Sequence, residues 1–86
     1  MYAKYGHLVV VHAMNITLTS QQTRVVATLP EDIRPSYTFP GYTNTSATGS
    51  TMSDKYSGLI RVCTNGNVEL YAVNAADYTG QVVYPI

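Results

Sequence analysis

Residues 58–72 read GLIRVCTNGNVELYA, and this stretch decides the fold. Two strand-like runs, 58–63 and 68–73, flank Asn65-Gly66, the dipeptide that best tolerates the positive φ angles of a tight hairpin turn. We therefore predict an antiparallel hairpin whose two-residue type I′ turn has φ > 0 at both Asn65 and Gly66.

The longest alternating segment of the chain is 8–18, LVVVHAMNITL. On a single extended strand its even-numbered residues fall on one face and its odd-numbered residues on the other. Both faces are apolar over the first half, so both must be covered, which in a small antiparallel fold indicates core on one face and a partner chain on the other. We predict that the subunit interface contains Val9, Val11, Ala13 and His12.

Three more segments complete the predicted architecture. Residues 23–29 are rich in β-branched side chains and are expected to close a hairpin with 8–18. Residues 75–80 are expected to form a turn, and residues 81–86 to form a closing strand. Six or seven short strands without a helix predict an all-β fold, a small antiparallel sandwich or barrel. The polar run 44–55 predicts an exposed loop.

Residues 29–42, LPEDIRPSYTFPGY, contain three of the four prolines. Proline fixes φ and lacks an N–H donor, so this segment is predicted to be neither a continuous helix nor a central strand. On an extended backbone Tyr37 and Phe39 point the same way. Two readings stay open: the rings cover the core, or they present an aromatic surface with Tyr42.

Composition limits the possible functions. One domain of 86 residues has a thin core, and Cys63 is the only cysteine, so oligomerisation is the favoured additional source of stability. His7, His12 and Cys63 have no metal-ligand spacing, and no cofactor is expected. The formal net charge is zero with five scattered basic residues, which argues against nucleic acid as a partner. No apolar run is long enough for membrane insertion.

The order of these segments resembles a known family. The LPxxxRP element at 29–35, the strand, Asn-Gly and strand unit of 58–72, and the terminal YPI at 84–86 run through nearly the whole chain. Together they resemble the C-terminal head domain of receptor-binding proteins at the tail tip of phages infecting Gram-positive bacteria, the lactococcal phages being the best-known group.

The resemblance implies a homotrimer of small β-barrels that binds a saccharide of the host cell envelope and performs no catalysis. Residues 1–86 would be one receptor-binding head, located in the virion at the tail tip. Neck and baseplate proteins upstream in the virion would be its partners. Family members carry shoulder and neck segments before the head, and this chain has neither, so we expect it to be a head alone.

Saccharide recognition needs flat apolar rings for the C–H faces of sugars and fixed polar groups for their hydroxyls. Tyrosine serves both needs, and the chain has eight tyrosines and no tryptophan, which several relatives use in the sugar site. The predicted site pairs are those in which a ring and a charge coincide near a loop: Asp54 with Tyr56, Arg61 with Tyr71, and Asp77 with Tyr78.

Three alternative functions make different demands on the sequence. Glycoside cleavage needs two carboxyl groups across a cleft, and Glu31-Asp32 are sequence neighbours that diverge on an extended backbone, so no catalytic residues are assigned. A structural tail-fibre tip would share the same fold and interface but bind no sugar. A stand-alone carbohydrate-binding module would not self-associate.

Overall fold

The computed structural model describes residues 1–45 and 58–86. These residues form eight strands and one short 3₁₀ turn, Glu31–Ile33. The strands are β1 (Tyr2–Tyr5), β2 (Leu8–Leu18), β3 (Gln22–Thr28), β4 (Phe39–Pro40), β5 (Tyr42–Thr45), β6 (Gly58–Val62), β7 (Asn67–Ala72) and β8 (Ala76–Pro85). Within the described ranges, no helix is long and apolar enough to cross a membrane.

The strands form two antiparallel four-stranded sheets that share one core. Sheet A has the order β1-β2-β8-β5 and sheet B the order β3-β7-β6-β4. The predicted all-β, antiparallel architecture is confirmed. The eight strands exceed the six or seven expected, and β1, β4 and β5 are strands to which the sequence pattern assigned no residues. Both sheets are open, and the strands described here form no closed barrel. The fully buried side chains come from both sheets and are Val9, Val11, Ala13, Val62, Val68, Leu70, Ala72, Tyr78, Val82 and Tyr84.

The hairpin of β6 and β7 is confirmed, but its turn differs from the prediction. Gly66 has φ 88°, whereas Asn65 is not among the residues with positive φ. The Gly66 N–H donates to the Cys63 carbonyl at 2.9 Å, and the Cys63 N–H donates to the Asn67 carbonyl at 2.9 Å. These bonds close a three-residue loop in which Gly66 occupies the left-handed position of a bulge. The extra residue shifts the pairing by one position, so that Arg61 lies opposite Glu69.

The alternation of buried and exposed side chains along strand β2 is interrupted once. The pairing with β8 slips between Ala13 and Ile16, and Asn15 in the slip has φ 52°. This β-bulge adds one residue, so the side chains beyond it change face. Ile16 and Leu18 therefore join Val9 and its odd-numbered neighbours in the core, and the prediction that they share a face with Leu8 is wrong.

Strands β2 and β3 do not form the predicted hairpin. Strand β3 pairs with β7 in sheet B, while β2 pairs with β1 and β8 in sheet A. The chain turns a corner at Ser20-Gln21, where Gln21 has φ 54° and its N–H donates to the Val73 carbonyl at 3.3 Å. The Ser20 hydroxyl donates to the same carbonyl at 3.1 Å. The corner is thus held by the end of β7 and carries β3 into the opposite sheet.

The proline segment crosses between the sheets and, as its composition predicts, forms neither a continuous helix nor a central strand. Its two-residue strand β4 is an edge of sheet B, where a proline is tolerated. Strand β5 follows after Gly41 and belongs to sheet A. The Gly41 N–H donates to the Ile60 carbonyl at 2.9 Å, and a Cβ on Gly41 would lie 2.0 Å from the Gln81 carbonyl oxygen. Only glycine allows this close crossing.

The first part of the same segment packs on the hairpin turn. The Leu29 N–H donates to the Gly66 carbonyl at 2.8 Å, and Arg34 Nε donates to the Leu29 carbonyl at 3.0 Å. A Cβ on Gly66 would lie 2.6 Å from Arg34 Nε. The LPxxxRP element and the Asn-Gly turn are therefore one local structure.

Strand β8 is longer than predicted. Residues 76–80, expected in a turn, are paired with β2 and extend the closing strand. The predicted alternation of its second half is confirmed, because Val82 and Tyr84 are buried while Val83 is 43 % exposed. A long β8 at the centre of sheet A gives β5 a partner at Tyr78–Gln81.

Candidate functional site

The outer face of sheet B carries the predicted pair of Arg61 and Tyr71. In the ladder, Arg61 lies opposite Glu69, and Leu59 lies opposite Tyr71. Directly opposite residues share a face, so these four side chains form a compact group on the side of the sheet away from the core. With Thr23 and Leu70 they line a depression of about 340 Å³. This group, with Thr23, is called the Arg61–Tyr71 site below.

An ion pair fixes the polar half of the Arg61–Tyr71 site. Arg61 Nε donates to Glu69 Oε1 at 2.7 Å, and the two side chains are 58 % and 19 % exposed. This hydrogen bond and the charge on Glu69 raise the pKa of Arg61 above its usual value, so the guanidinium stays charged. A pair this exposed adds little to stability. The ion pair instead orients the planar guanidinium of Arg61, whose two terminal nitrogens have further N–H donors.

The other half of the Arg61–Tyr71 site is apolar. Leu59 is 68 % exposed, which is unusual for a leucine in mid-strand, and Tyr71 beside it is half-buried. A tyrosine ring combines an apolar face with a hydroxyl that donates and accepts hydrogen bonds. The Arg61 guanidinium and the Tyr71 ring therefore lie side by side on paired strands, which hold side chains more rigidly than loops do.

Cys63 lies next to this site on the chain. Burial and then the charge on Glu69 raise the pKa of the Cys63 thiol, while Arg61 opposes the shift. The thiol is half-buried. It is therefore held in the protonated, weakly nucleophilic form near neutral pH.

The outer face of sheet A has a different character. Rows across β1, β2 and β8 place Tyr5, Leu8 and Pro85 together, and Ala3, Val10 and Val83 together. Of these residues Tyr5 is 67 % exposed and Leu8 is 42 % exposed. The side chains of these two rows are uncharged, and we call them the apolar rows. The next row contains His12, Gln81 and Tyr42.

The three predicted site pairs have different outcomes. Arg61 and Tyr71 line one depression. Asp77 and Tyr78 point to opposite faces of β8: Asp77 is exposed and accepts a hydrogen bond from the Thr17 hydroxyl at 2.6 Å. Tyr78 is 0 % exposed and its hydroxyl donates to the Asn74 carbonyl at 2.7 Å, so its assignment to a ligand site is corrected. Asp54 and Tyr56 lie outside the described residues.

The predicted interface residues are also divided between two faces. Val9, Val11 and Ala13 are 0 % exposed and belong to the core of the chain itself, so their assignment to a subunit interface is corrected. The sequence indicates that both faces of β2 must be covered. It does not indicate which of the two faces packs against the opposite sheet. His12 is exposed on the outer face of sheet A.

Sequence reasoning missed Glu69 and Leu59. Their neighbours Arg61 and Tyr71 were identified, but a two-residue turn would have placed Arg61 opposite Leu70 rather than Glu69. The signal was present in the opposite charges of Arg61 and Glu69, which favour a directly opposed pair in a three-residue loop.

Of the two predictions for the aromatic rings of the proline segment, core cover holds for Phe39 and an exposed aromatic surface holds for Tyr37. Phe39 packs on the buried Tyr84, with ring centroids 5.7 Å apart, and Tyr84 donates from its hydroxyl to the Ile33 carbonyl at 2.5 Å. Tyr37 stacks on Phe39 at 4.7 Å and is 63 % exposed. The inner rings extend the core, and the outermost ring meets solvent.

Residues 1–45 and 58–86 contain no group of three or more histidine, cysteine or acidic side chains able to hold a metal ion. In the comparisons with known proteins, no family model, curated protein or solved structure matches this chain. The resemblance to phage receptor-binding heads therefore stays a prediction.

Proposed function

We propose that this chain is a non-catalytic saccharide-binding head that attaches a phage tail tip to the envelope of its host cell. The observation that carries the proposal is the Arg61–Tyr71 site, where an oriented guanidinium and carboxylate lie beside a tyrosine ring and an exposed leucine. Charged groups bind sugar hydroxyls with directional hydrogen bonds, and the ring accepts the C–H face of a pyranose.

The architecture favours binding without large rearrangement. The side chains of the site stand on three paired strands, and Arg61 is already held by Glu69 before any ligand arrives. A site that is ordered in advance loses less conformational entropy when it binds. This property suits a module that must attach repeatedly to a weakly binding, repetitive polymer.

The proposal includes assembly as a homotrimer, with neck and baseplate proteins upstream in the virion. The apolar rows of sheet A are the surface that supports subunit contact, because they combine the exposed Leu8, Val83 and Tyr5 without a charged side chain. Protein interfaces have a similar depletion of charge at their centres. Light scattering coupled to size-exclusion chromatography tests this part: a trimeric mass supports it, and a monomeric mass contradicts it.

Labelling of host cells tests attachment. A fluorescent version of the domain is expected to decorate host cells, while Tyr71→Ala and Arg61→Met variants leave them dark. Met14→Ala serves as the control, since Met14 is 64 % exposed on sheet A and belongs neither to the Arg61–Tyr71 site nor to the apolar rows. Decoration that survives both site substitutions would contradict the proposed site, and cells left dark by the unmodified domain would contradict the proposed function.

The second candidate is a structural tail-fibre tip that assembles but binds no sugar. The apolar rows favour it, since they support assembly independently of the Arg61–Tyr71 site. A trimeric domain that leaves host cells dark would support this candidate. A monomer that binds saccharide would instead support a stand-alone carbohydrate-binding module.

A further inference from the structure

A second surface with the chemistry of a ligand site lies on sheet A, around Tyr42. The Tyr42 side chain is 88 % exposed, the highest value among the large apolar side chains described. Depressions of about 310 and 280 Å³ lie on its two sides, and both are lined by Tyr42 and Gln81. These volumes are at the lower end of the range for small-ligand sites. The ring stands between two neighbouring spaces of similar size.

The backbone beneath Tyr42 is fixed by both sheets. Tyr42 pairs with Gln81 of β8, and the preceding Gly41 is bonded to Ile60 of sheet B. Gly41 also lies so close to strand β8 that a Cβ there would be 2.0 Å from the Gln81 carbonyl oxygen. An exposed ring on so restrained a backbone loses little main-chain entropy when a ligand packs on it.

The groups around the ring are mostly polar, and none of them carries a charge when His12 is neutral. One depression is lined by His12, Thr43, Thr79 and Gln81, and the other has the apolar Pro40 and Val83. The amide and imidazole supply both donors and acceptors. No carboxylate, ammonium or guanidinium is among the described residues that line either space, in contrast to the Arg61–Tyr71 site. Recognition of phosphate or carboxylate substituents depends on such cations.

We propose that this surface, which we call the Tyr42 site, is a second saccharide-binding site that takes neutral pyranose units. A sugar ring stacks on Tyr42, and its hydroxyls bond to Gln81 and His12. The depression lined by His12 and Thr79 takes this unit, and the second depression, whose Val83 also belongs to the apolar rows, takes the next unit at the edge of the proposed subunit contact. This site does not depend on the Arg61–Tyr71 site, which lies on the other sheet.

Amide chemical-shift perturbation by NMR tests the Tyr42 site, with maltotriose, cellotriose and tri-N-acetylchitotriose as neutral probes at millimolar concentrations. With at least one probe we expect shifts confined to Tyr42, Thr43, Gln81 and their strand neighbours. Tyr42→Ala should weaken this binding by about tenfold or more, whereas Tyr42→Phe should retain it. Because Tyr42 is almost fully exposed, the remaining amide spectrum of each variant reports directly on an intact fold.

Tyr71→Ala separates this proposal from the proposed function. Shifts around Tyr42 that persist in Tyr71→Ala support a second, independent site, even if cell attachment proves to need neither residue. Three probes that leave the Tyr42 region unshifted overturn the proposal. Shifts that persist in Tyr42→Ala, or that disappear in Tyr71→Ala, overturn it as well.

Discussion

The outer faces of the two sheets are built from the same alternation but present opposite surfaces. Sheet B presents an ion pair beside an exposed leucine and a half-buried tyrosine. Sheet A presents the apolar rows and then an uncharged polar row around Tyr42. The buried faces of the two sheets are equally apolar. The comparison teaches that the core fixes the fold, while the outward positions of each strand are free to specify different partners.

The largest expected effect comes from a substitution at Gly41, where the chain crosses from one sheet to the other. Gly41→Ala places a methyl group 2.0 Å from the Gln81 carbonyl at the crossing between the sheets. We expect a loss of about 3 kcal/mol or more in the free energy of unfolding, measured by urea denaturation, because the clash is with backbone. Gly6→Ala is the control: its Cβ meets nothing within 4 Å, and only its φ of 63° costs about 1 kcal/mol. Equal stabilities would contradict the described crossing.

Introducing a charge on one outer face at a time should show which face carries the proposed assembly. Leu8→Lys places charge in the apolar rows and is expected to convert the proposed trimer to monomer, a threefold fall in mass by light scattering. Leu59→Lys makes the same change on sheet B, at a residue that is 68 % exposed, and should leave the mass unchanged. Dissociation by Leu59→Lys alone would show that the assigned faces are interchanged.

Tyr84→Phe tests how the core is tied to the proline segment. Removing the hydroxyl leaves the Ile33 carbonyl without this donor and should lower the free energy of unfolding by about 1–2 kcal/mol. Tyr5→Phe, at a tyrosine 67 % exposed, should change it by less than about 0.5 kcal/mol. A Tyr84→Phe variant as stable as the unmodified protein would contradict the buried bond.

The environment of Tyr84 also predicts that the free energy of unfolding depends on pH. Burial raises the pKa of Tyr84 in the folded state above its unfolded value. Its contribution to stability is therefore complete below the ordinary tyrosine pKa and is lost as pH rises through the raised value. Urea denaturation over the alkaline range should show a steeper loss of stability for the unmodified protein than for Tyr84→Phe; parallel curves would contradict this.

Much of the fold could be predicted from sequence because it depends on local signals. Asn65-Gly66 and the alternation of Val82, Val83 and Tyr84 identify strands and their faces. The errors occur where one residue changes a register. Asn15 forms a bulge that reverses the faces of β2, and Gly66 lengthens the hairpin loop by one. Both depend on tertiary contacts that alternation does not encode.

The candidate site was harder to predict than the fold. Arg61 and Tyr71 were found because both belong to a hairpin with a strong turn signal. Tyr78 was misassigned because residues 75–80 resemble a turn, whereas pairing with β2 makes them a strand whose inner face includes Tyr78. Tyr42 was noticed only as part of the proline segment, since nothing local indicates which sheet its strand joins.

The smallest expected effect concerns the reactivity of Cys63. Burial and the charge on Glu69 raise its thiol pKa, so alkylation by iodoacetamide should reach half its maximal rate at a higher pH than for a free cysteine. Glu69→Gln should move this midpoint to lower pH, and Arg61→Gln should move it to higher pH. Shifts in the reverse directions would contradict the described arrangement of these three side chains.

The most direct test of the central claim is to locate saccharide on the protein. Amide chemical-shift mapping with fragments of purified host wall polysaccharide should show a cluster of shifts on residues 59–61 and 69–71 that is lost in Tyr71→Ala. Binding of these fragments with no perturbation on sheet B would contradict the assignment of the Arg61–Tyr71 site, and the absence of any binding would contradict the function proposed for this chain.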